Sequence, residues 1–314
     1  GDNYNVVAGT ASGLINKATL NVNAVNDTRT YDGTNQSAGT VDITGVQTGD
    51  TVTAQQVFDS RNAGNRTLSV AGVVVNDGNN GDNYNVVAGT ASGLINKAQA
   101  TVTANGLNTV YNGKDQTVTD FKANGLVNSE TESVLTGVSA SITAKDAGKY
   151  ANTATGTDKN YDLTFVDGSL DIAKAQATIT ANSLNTTYNG KYQTATGFIA
   201  SGLVNGETES VLTGVSASVT AKDVGKYVNT ATGTDKNYDL TFVDGSLDIA
   251  KAQAIITANS LNTVYNGKDQ TATGFTAKGL VNGETESVLS NVSASVTGKD
   301  AGTYSNTATG TDSN

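Results

Sequence analysis

The sequence predicts an all-β protein built as a tandem array of small domains. Three observations lead there. The stretch Lys145-Asp146-Ala147-Gly148-Lys149-Tyr150 returns nearly unchanged at Lys222–Tyr227 and Lys299–Tyr304. One residue beyond each copy comes the same Asn-Thr-Ala-Thr-Gly-Thr-Asp run. Tyr150, Tyr227 and Tyr304 lie 77 residues apart, and a fixed period of that size marks a repeat array. Within each period, short alternating segments recur every 8–12 residues, separated by Gly, Asn and Asp, which is the signature of a sandwich or barrel. No long stretch keeps a 3.6-residue apolar period, so little helix is expected.

Residues 1–18 repeat letter for letter at 81–98 and read as the C-terminal strands of a preceding repeat, at Tyr4–Val7 and around Leu14–Lys17. Residues 19–98 form the first full repeat. Leu20, Val22 and Ala24 alternate with Asn21 and Asn23, a half-buried strand. Tyr31-Asp32-Gly33 ends the next segment in a turn. Val41–Val46 and Thr51–Val57, separated by Gln47-Thr48-Gly49-Asp50, read as a hairpin. Asn62-Ala63-Gly64 is a turn before the alternating Thr67–Val75. Asp77–Asn83 is a long polar turn, and Tyr84–Val87 and Leu94–Lys97 close the unit.

Residues 99–175 and 176–252 are the second and third repeats, and Thr153–Ala177 and Thr230–Ala254 are identical. Each opens on a strand, Ala100–Thr103 or Ala177–Thr180. Later strands are expected near Val138–Thr143, Tyr150–Thr155, Leu163–Val166 and Leu170–Ala173. The best helix candidate, Glu130–Leu135, has room for one turn. Residues 253–314 are a fourth repeat lacking the counterpart of Tyr238–Ala252.

The repeats join without a Gly/Ser-rich or Pro-rich linker. The inward parity also slips by one across Leu170-Asp171-Ile172-Ala173-Lys174-Ala175-Gln176-Ala177. A last strand passing straight into the next first strand explains both features and predicts stiff joints at 97–100, 174–177 and 251–254. Tyr4–Ala18 is as long as the segment that the fourth repeat lacks. One segment's first strands are therefore expected to complete a neighbour's open domain by strand addition.

Composition narrows the chemistry. The chain has 19 basic and 29 acidic residues, a formal charge of −10, which leaves no basic footprint for nucleic acid or anionic lipid. It contains no His, Cys, Met, Trp or Pro. Without Cys there are no disulfides or thiolate metal sites. Without His the commonest metal ligand and the side chain suited to proton transfer near neutrality are gone, and no serine-hydrolase triad can form. The lack of Met leads to the expectation that the chain is a piece of a longer one. A disulfide-free chain also suits export in unfolded form through a narrow outer-membrane pore. No apolar run reaches the ~20 residues of a membrane-spanning helix, so membrane insertion is not expected.

Tyr31-Asp32-Gly33, Asn62-Ala63-Gly64 and the Gly-Asp-Asn-Tyr at 81–84 resemble the YDG repeat of large bacterial surface proteins of the filamentous haemagglutinin type. Tyr111-Asn112-Gly113 and Tyr188-Asn189-Gly190 resemble the related MBG repeats of the same adhesins. The resemblance implies an extracellular, cell-surface location and a stalk that extends a distal binding region. Its partners would be neighbouring repeats or adjacent fibre segments, head to tail. An alternative is a multivalent module with a weak glycan or matrix site on each repeat.

A second resemblance concerns the fold. Asp146-x-Gly148-x-Tyr150, with Asp223/Tyr227 and Asp300/Tyr304, is similar to the Asp-x-Gly-x-Tyr of immunoglobulin domains, which forms a tyrosine corner. It implies Ig-like β-sandwiches, with these six residues structural and the three rings largely buried over hydroxyls bonded to nearby backbone. The immunoglobulin Cys two residues on is Asn152 here, and Arg66 stands for the Tyr in the first repeat. A β-grasp-like repeat is the structural alternative.

No enzymatic activity is expected, since near-identical tandem copies do not suit a catalytic site. No cofactor is expected either. Ca²⁺, which takes oxygen ligands, has two candidate turns, Asp77–Asn83 and Asp158–Asp162, although Asn and Asp favour turns in any case.

Overall fold

The computed structural model describes residues 2–312. Among them every regular element is a β-strand or a single 3₁₀ turn. The chain divides into two compact units. One holds Gly1–Leu107, Thr117–Ala144 and Lys149–Leu170; the other holds Asn108–Gln116, Lys145–Gly148 and Asp171–Asn314. The division runs through the second repeat, so the first and third repeats show the fold whole.

In the first unit, repeat one contains β1 (Ala18–Asn23), β2 (Asp27–Thr30), β3 (Asp42–Thr44), β4 (Thr51–Phe58), β5 (Gly64–Asn76), β6 (Tyr84–Gly89) and β7 (Ala91–Asn96). They form two sheets, β3-β1-β6 and β2-β7-β5-β4. The first segment of the repeat changes sheet between β1 and β2, and the last changes between β6 and β7. The two segments pair in parallel on both sides of the change, β1 with β6 and β2 with β7. Leu20, Val22 and Tyr84 of one sheet face Val52, Val70, Val73 and Val75 of the other. Gln56, 1% exposed, holds the backbone at the change of sheet. It accepts from the Val25 amide at 2.7 Å and donates to the Val25 carbonyl at 3.0 Å.

The second repeat supplies β8 (Ala98–Ala104), β9 (Leu107–Val110), β10 (Gln116–Thr119), β11 (Phe121–Asn124), β12 (Val138–Ala144), β13 (Gly148–Asn152), β14 (Ala154–Gly156), β15 (Tyr161–Val166) and β16 (Gly168–Ala173). Its 3₁₀ turn, Glu132–Val134, lies within the one-turn helix candidate. Across 93–104 the buried positions are Gly93 and Ile95, then Ala98, Ala100, Val102 and Ala104. This is the parity slip read from the sequence.

In the second unit, repeat three runs β17 (Ala175–Ala181), β18 (Leu184–Thr187), β19 (Gln193–Thr196), β20 (Phe198–Ser201), β21 (Val215–Ala221), β22 (Gly225–Asn229), β23 (Ala231–Gly233), β24 (Tyr238–Val243) and β25 (Gly245–Ala250). Its sheets are β20-β17-β24, β18-β25-β22 and β19-β21-β23. First and last segments again pair in parallel, over six residues in β17–β24 and four in β18–β25. The fourth repeat contributes β26 (Ile255–Ala258), β27 (Gln270–Thr273), β28 (Phe275–Lys278), β29 (Val292–Gly298) and β30 (Ala308–Gly310).

Both breaks of repeat three lie side by side. A Cβ on Gly245 would come within 2.4 Å of the carbonyl oxygens of Ala181 and Asn182, so only glycine fits. Asn229, fully buried, donates Nδ2 to the Asn182 carbonyl at 2.8 Å. Asn152 does the same to Asn105 at 2.9 Å. The position that carries a cysteine in immunoglobulin domains thus carries an amide that holds the first strand at its change of sheet.

The chain is a tandem array of Ig-like β-sandwich domains. A β-grasp would need a full helix over its sheet, and the only helical elements among the described residues are three-residue turns. Two expected details are corrected. Tyr4–Val7 and Leu14–Lys17 form no strand, and Tyr4, Val7 and Ile15 are 88–97% exposed. Their identical counterparts are β6 and β7, which have partners, and pairing rather than local sequence decides the outcome. Secondly, β3 and β4 are not a hairpin: β3 pairs with β1, β4 with β5. The Gln47–Asp50 loop crosses between the sheets.

Candidate functional site: a tyrosine–glutamate joint between successive repeats

The sheet ends meet the next repeat through one recurring set of residues. In the first unit, the Tyr31 amide donates to the Asn96 carbonyl at 2.8 Å, which fixes the ring at the end of β2. Tyr31, 2% exposed, then reaches into the second repeat. Its hydroxyl donates to Glu130 Oε1 at 2.7 Å, and the Tyr161 hydroxyl donates to Oε2 of the same carboxylate at 2.6 Å. Tyr161 accepts from the Val127 amide at 3.0 Å, so its single proton is committed to Glu130. The rings meet edge to face, centroids 5.4 Å apart, a favoured aromatic geometry. One hydrophobic cluster runs from Phe58, Leu68 and Ile95 through Tyr31 to Tyr161 and Leu135.

The same joint recurs in the second unit. Tyr111 and Tyr238 donate to Glu207 Oε1 and Oε2 at 2.6 and 2.5 Å. The Val204 amide donates to Tyr238 at 2.9 Å, and the rings are again 5.4 Å apart. Tyr188 donates to Glu284 Oε1 at 2.6 Å. The turn glycine after each tyrosine leaves room for an asparagine of the next repeat. Asn205 donates to the Gly113 carbonyl at 3.0 Å and Asn282 to Gly190 at 2.9 Å. A Cβ on Gly113 would sit 2.6 Å from that of Asn205, and Asn205 itself adopts a positive φ of 54°.

A second contact flanks each carboxylate. Asn160 Oδ1 accepts from the Ala63 amide at 3.0 Å, and its Nδ2 donates to Asn62 Oδ1 at 3.2 Å. In the second unit Asn237 bonds the Ala147 amide at 2.9 Å and Asp146 Oδ1 at 3.0 Å, while Lys236 Nζ bonds Asp146 Oδ2 at 2.9 Å. Lys236, then Asn237, hold the Asp146 carboxyl below its usual range. Lys97 and Lys174 brace the connections by donating to the Asp158 and Asp235 carbonyls, each at 2.7 Å.

Burial, then the bond to glutamate, pushes the Tyr161 and Tyr238 hydroxyls up to about 12. For Tyr188 the bond to Glu284 leads and burial follows, again to about 12. Tyr31 and Tyr111 shift the same way. The neutral phenol is thus favoured in the folded joint. Its stabilisation is complete below pH ~10, the ordinary phenol value, and is lost as pH rises through the folded values. Spectrophotometric titration is expected to show Tyr161, Tyr188 and Tyr238 ionising at about 12, above the ordinary phenol value, together with joint opening.

The six tyrosine-corner residues divide. Tyr227 and Tyr304 donate to the Asp223 and Asp300 carbonyls at 3.1 Å. The rings are not largely buried: Tyr150 and Tyr227 are half-buried and Tyr304 is 46% exposed. Tyr227 and Tyr304 reach back four residues over their own turns, and Tyr227 packs at the edge of a core cluster. Tyr227→Phe is expected to cost about 0.5–1 kcal/mol in denaturant unfolding. The Asp146 carboxylate acts at the joint, and the Asp223 and Asp300 backbone carbonyls hold the Tyr227 and Tyr304 hydroxyls.

In both turns considered for Ca²⁺ the first acid is used internally. Asp77 accepts from the Asn79, Gly81 and Asn83 amides, and Asp158 Oδ1 from Asn160 and Tyr161. The glutamates were not among the expected site residues. Their signal was present as Asn-(Ser/Gly)-Glu-Thr-Glu-Ser at 128, 205 and 282. The second glutamate of each stays within its repeat; Glu209, for example, accepts from the Ala200 amide at 3.0 Å.

Residues 16–92 match the YDG domain, and residues 100–171 and 177–248 match the MBG domain of the YGX type. No curated protein matches the chain. Among solved structures it is similar to the I9–I11 tandem of titin, at 10% identity over 74% of this chain and 100% of that one, TM-score 0.21. It is similar to the Bacillus anthracis TIE protein, at 8% identity over 98% and 73%, TM-score 0.30. It is also similar to immunoglobulin domains 1–5 of Sidekick-1, at 11% identity over 83% and 67%, TM-score 0.25. The chain thus carries, in tandem, one segment that matches the YDG domain and two that match the MBG domain of the YGX type.

Proposed function

We propose that this chain is a structural stalk segment of an extracellular bacterial surface protein, non-enzymatic and without a cofactor, whose repeats carry load between a cell and a distal binding region. The observation that supports this most is the recurring joint, in which one carboxylate takes tyrosine hydroxyls from two successive repeats. A multivalent ligand-binding array has no need of such a connection.

The strand order suits the same role. Tension applied at the two ends of repeat three pulls β17 toward its N-terminus and β24 toward its C-terminus. Because they are parallel, this tension shears them, and their hydrogen bonds load together instead of opening one by one. The β18–β25 pair is loaded in the same way.

Single-molecule stretching of the full chain tests the reading. Expected are discrete unfolding events, each releasing about 25 nm of chain, since 77 residues extend at ~3.4 Å each. Smooth extension without force peaks would contradict a load-bearing role. So would specific capture of the chain by glycans with no mechanical resistance, which would favour the multivalent module.

A further inference from the structure

Repeat one carries the same receiving face, built from different residues. Asp50 Oδ2 accepts from the Tyr84 hydroxyl at 2.5 Å, and the Gln47 amide donates to that hydroxyl at 2.8 Å. This reproduces Glu130, Tyr161 and the Val127 amide in turn. The loop backbone agrees as well: Asp50 N–H bonds the Gln47 carbonyl at 3.1 Å, as Glu130 N–H bonds Val127 at 2.9 Å. Gly45 (φ 91°) stands where Gly125 (φ 89°) stands. Lys17 reaches Asp82 at 3.5 Å and the Ala18 amide bonds the Asn83 carbonyl at 2.9 Å, the counterpart of Lys97 and Ala98 beside Asp158 and Asn160.

Two differences separate this face from the filled ones. Asp50 is one methylene shorter than glutamate, and Thr48 replaces Asn128. Gln47 is exposed, whereas Val127 and Val204 are half-buried beneath the neighbouring tyrosine. Among the described residues no donor reaches Asp50 Oδ1.

We propose that Asp50, Tyr84 and the Gln47–Asp50 loop form a docking face for the Tyr-(Asn/Asp)-Gly turn of another repeat of this type. The partner's ring would lie edge-on to Tyr84 with its hydroxyl on Asp50. The proposal rests on the reading of the joint as a connector and names a face that the sequence pattern conceals.

The test grafts Ala175–Ala252 in place of residues 1–18, ahead of Thr19 in the otherwise full chain. Lys17-Ala18 and Lys251-Ala252 are the same dipeptide, so the connection is unchanged. Amide exchange is then followed by NMR at Gln47, Val127 and Val204. Docking is expected to slow Gln47 exchange at least tenfold relative to the parent chain. Asp50→Ala, or Tyr→Phe at the grafted copy of Tyr188, should reverse this. If Gln47 exchanges as in the parent while Val127 and Val204 stay protected, the docking face is refuted and the joint reading stands. If Val127 and Val204 also exchange freely in the parent chain, the joint reading itself fails.

Discussion

Glu207→Ala is expected to destabilise the chain by about 3 kcal/mol, because two buried phenols lose their shared charged acceptor. Tyr238 keeps the Val204 amide as a donor to it, but its own proton has nowhere to go. Tyr111 loses its only hydrogen-bond acceptor across the joint. Denaturant unfolding should show the loss, and tyrosine titration should show Tyr111 and Tyr238 ionising nearer the ordinary phenol value. Glu207→Gln should cost less, about 1–2 kcal/mol, since one carbonyl acceptor survives while the amide nitrogen faces a hydroxyl proton. A smaller loss for alanine than for glutamine would mean that the carboxylate is tolerated at the joint and does not hold it.

Leu247→Ala is expected to cost about 2–5 kcal/mol, the range for truncating a buried leucine into a site that relaxes incompletely. Leu247 is 0% exposed and sits in β25, between Leu184 of the first segment and Tyr227 of β22. Its neighbours, Ala195 and Ala221, are too short to fill the void. The damage should be confined to repeat three and its joints, because each repeat contacts only its neighbours. Amide exchange that rises in 176–252 and leaves 19–98 untouched is the expected pattern.

Much of the fold was legible because the signals are local. Alternation of Leu20, Val22 and Ala24 marks a strand whatever it pairs with, and Asn-Gly and Asp-Gly steps mark the turns. Partners were not legible. The same stretch forms two strands at 84–96 and none at 4–16, and the Gln47–Asp50 loop reads as a hairpin while it crosses between sheets. The corner motif foretold the hydroxyl bonds of Tyr227 and Tyr304, which span four residues. It could not foretell ring burial, which depends on what lies above the turn. The joint acid was hidden for the same reason: Glu130 and Glu132 stand two residues apart in one short loop, and only the neighbouring repeat separates their roles.

Repeats one and two, and repeats two and three, are each fastened through one shared carboxylate. The most direct measurement is a double-mutant cycle across one joint, Tyr111→Phe with Glu207→Gln, read from equilibrium unfolding fitted with nearest-neighbour terms. The account predicts a coupling of about 1–3 kcal/mol between these two residues of successive repeats. Losses that add to within ~0.5 kcal/mol would show that the two residues act independently, and would contradict the joint as the element that connects the array.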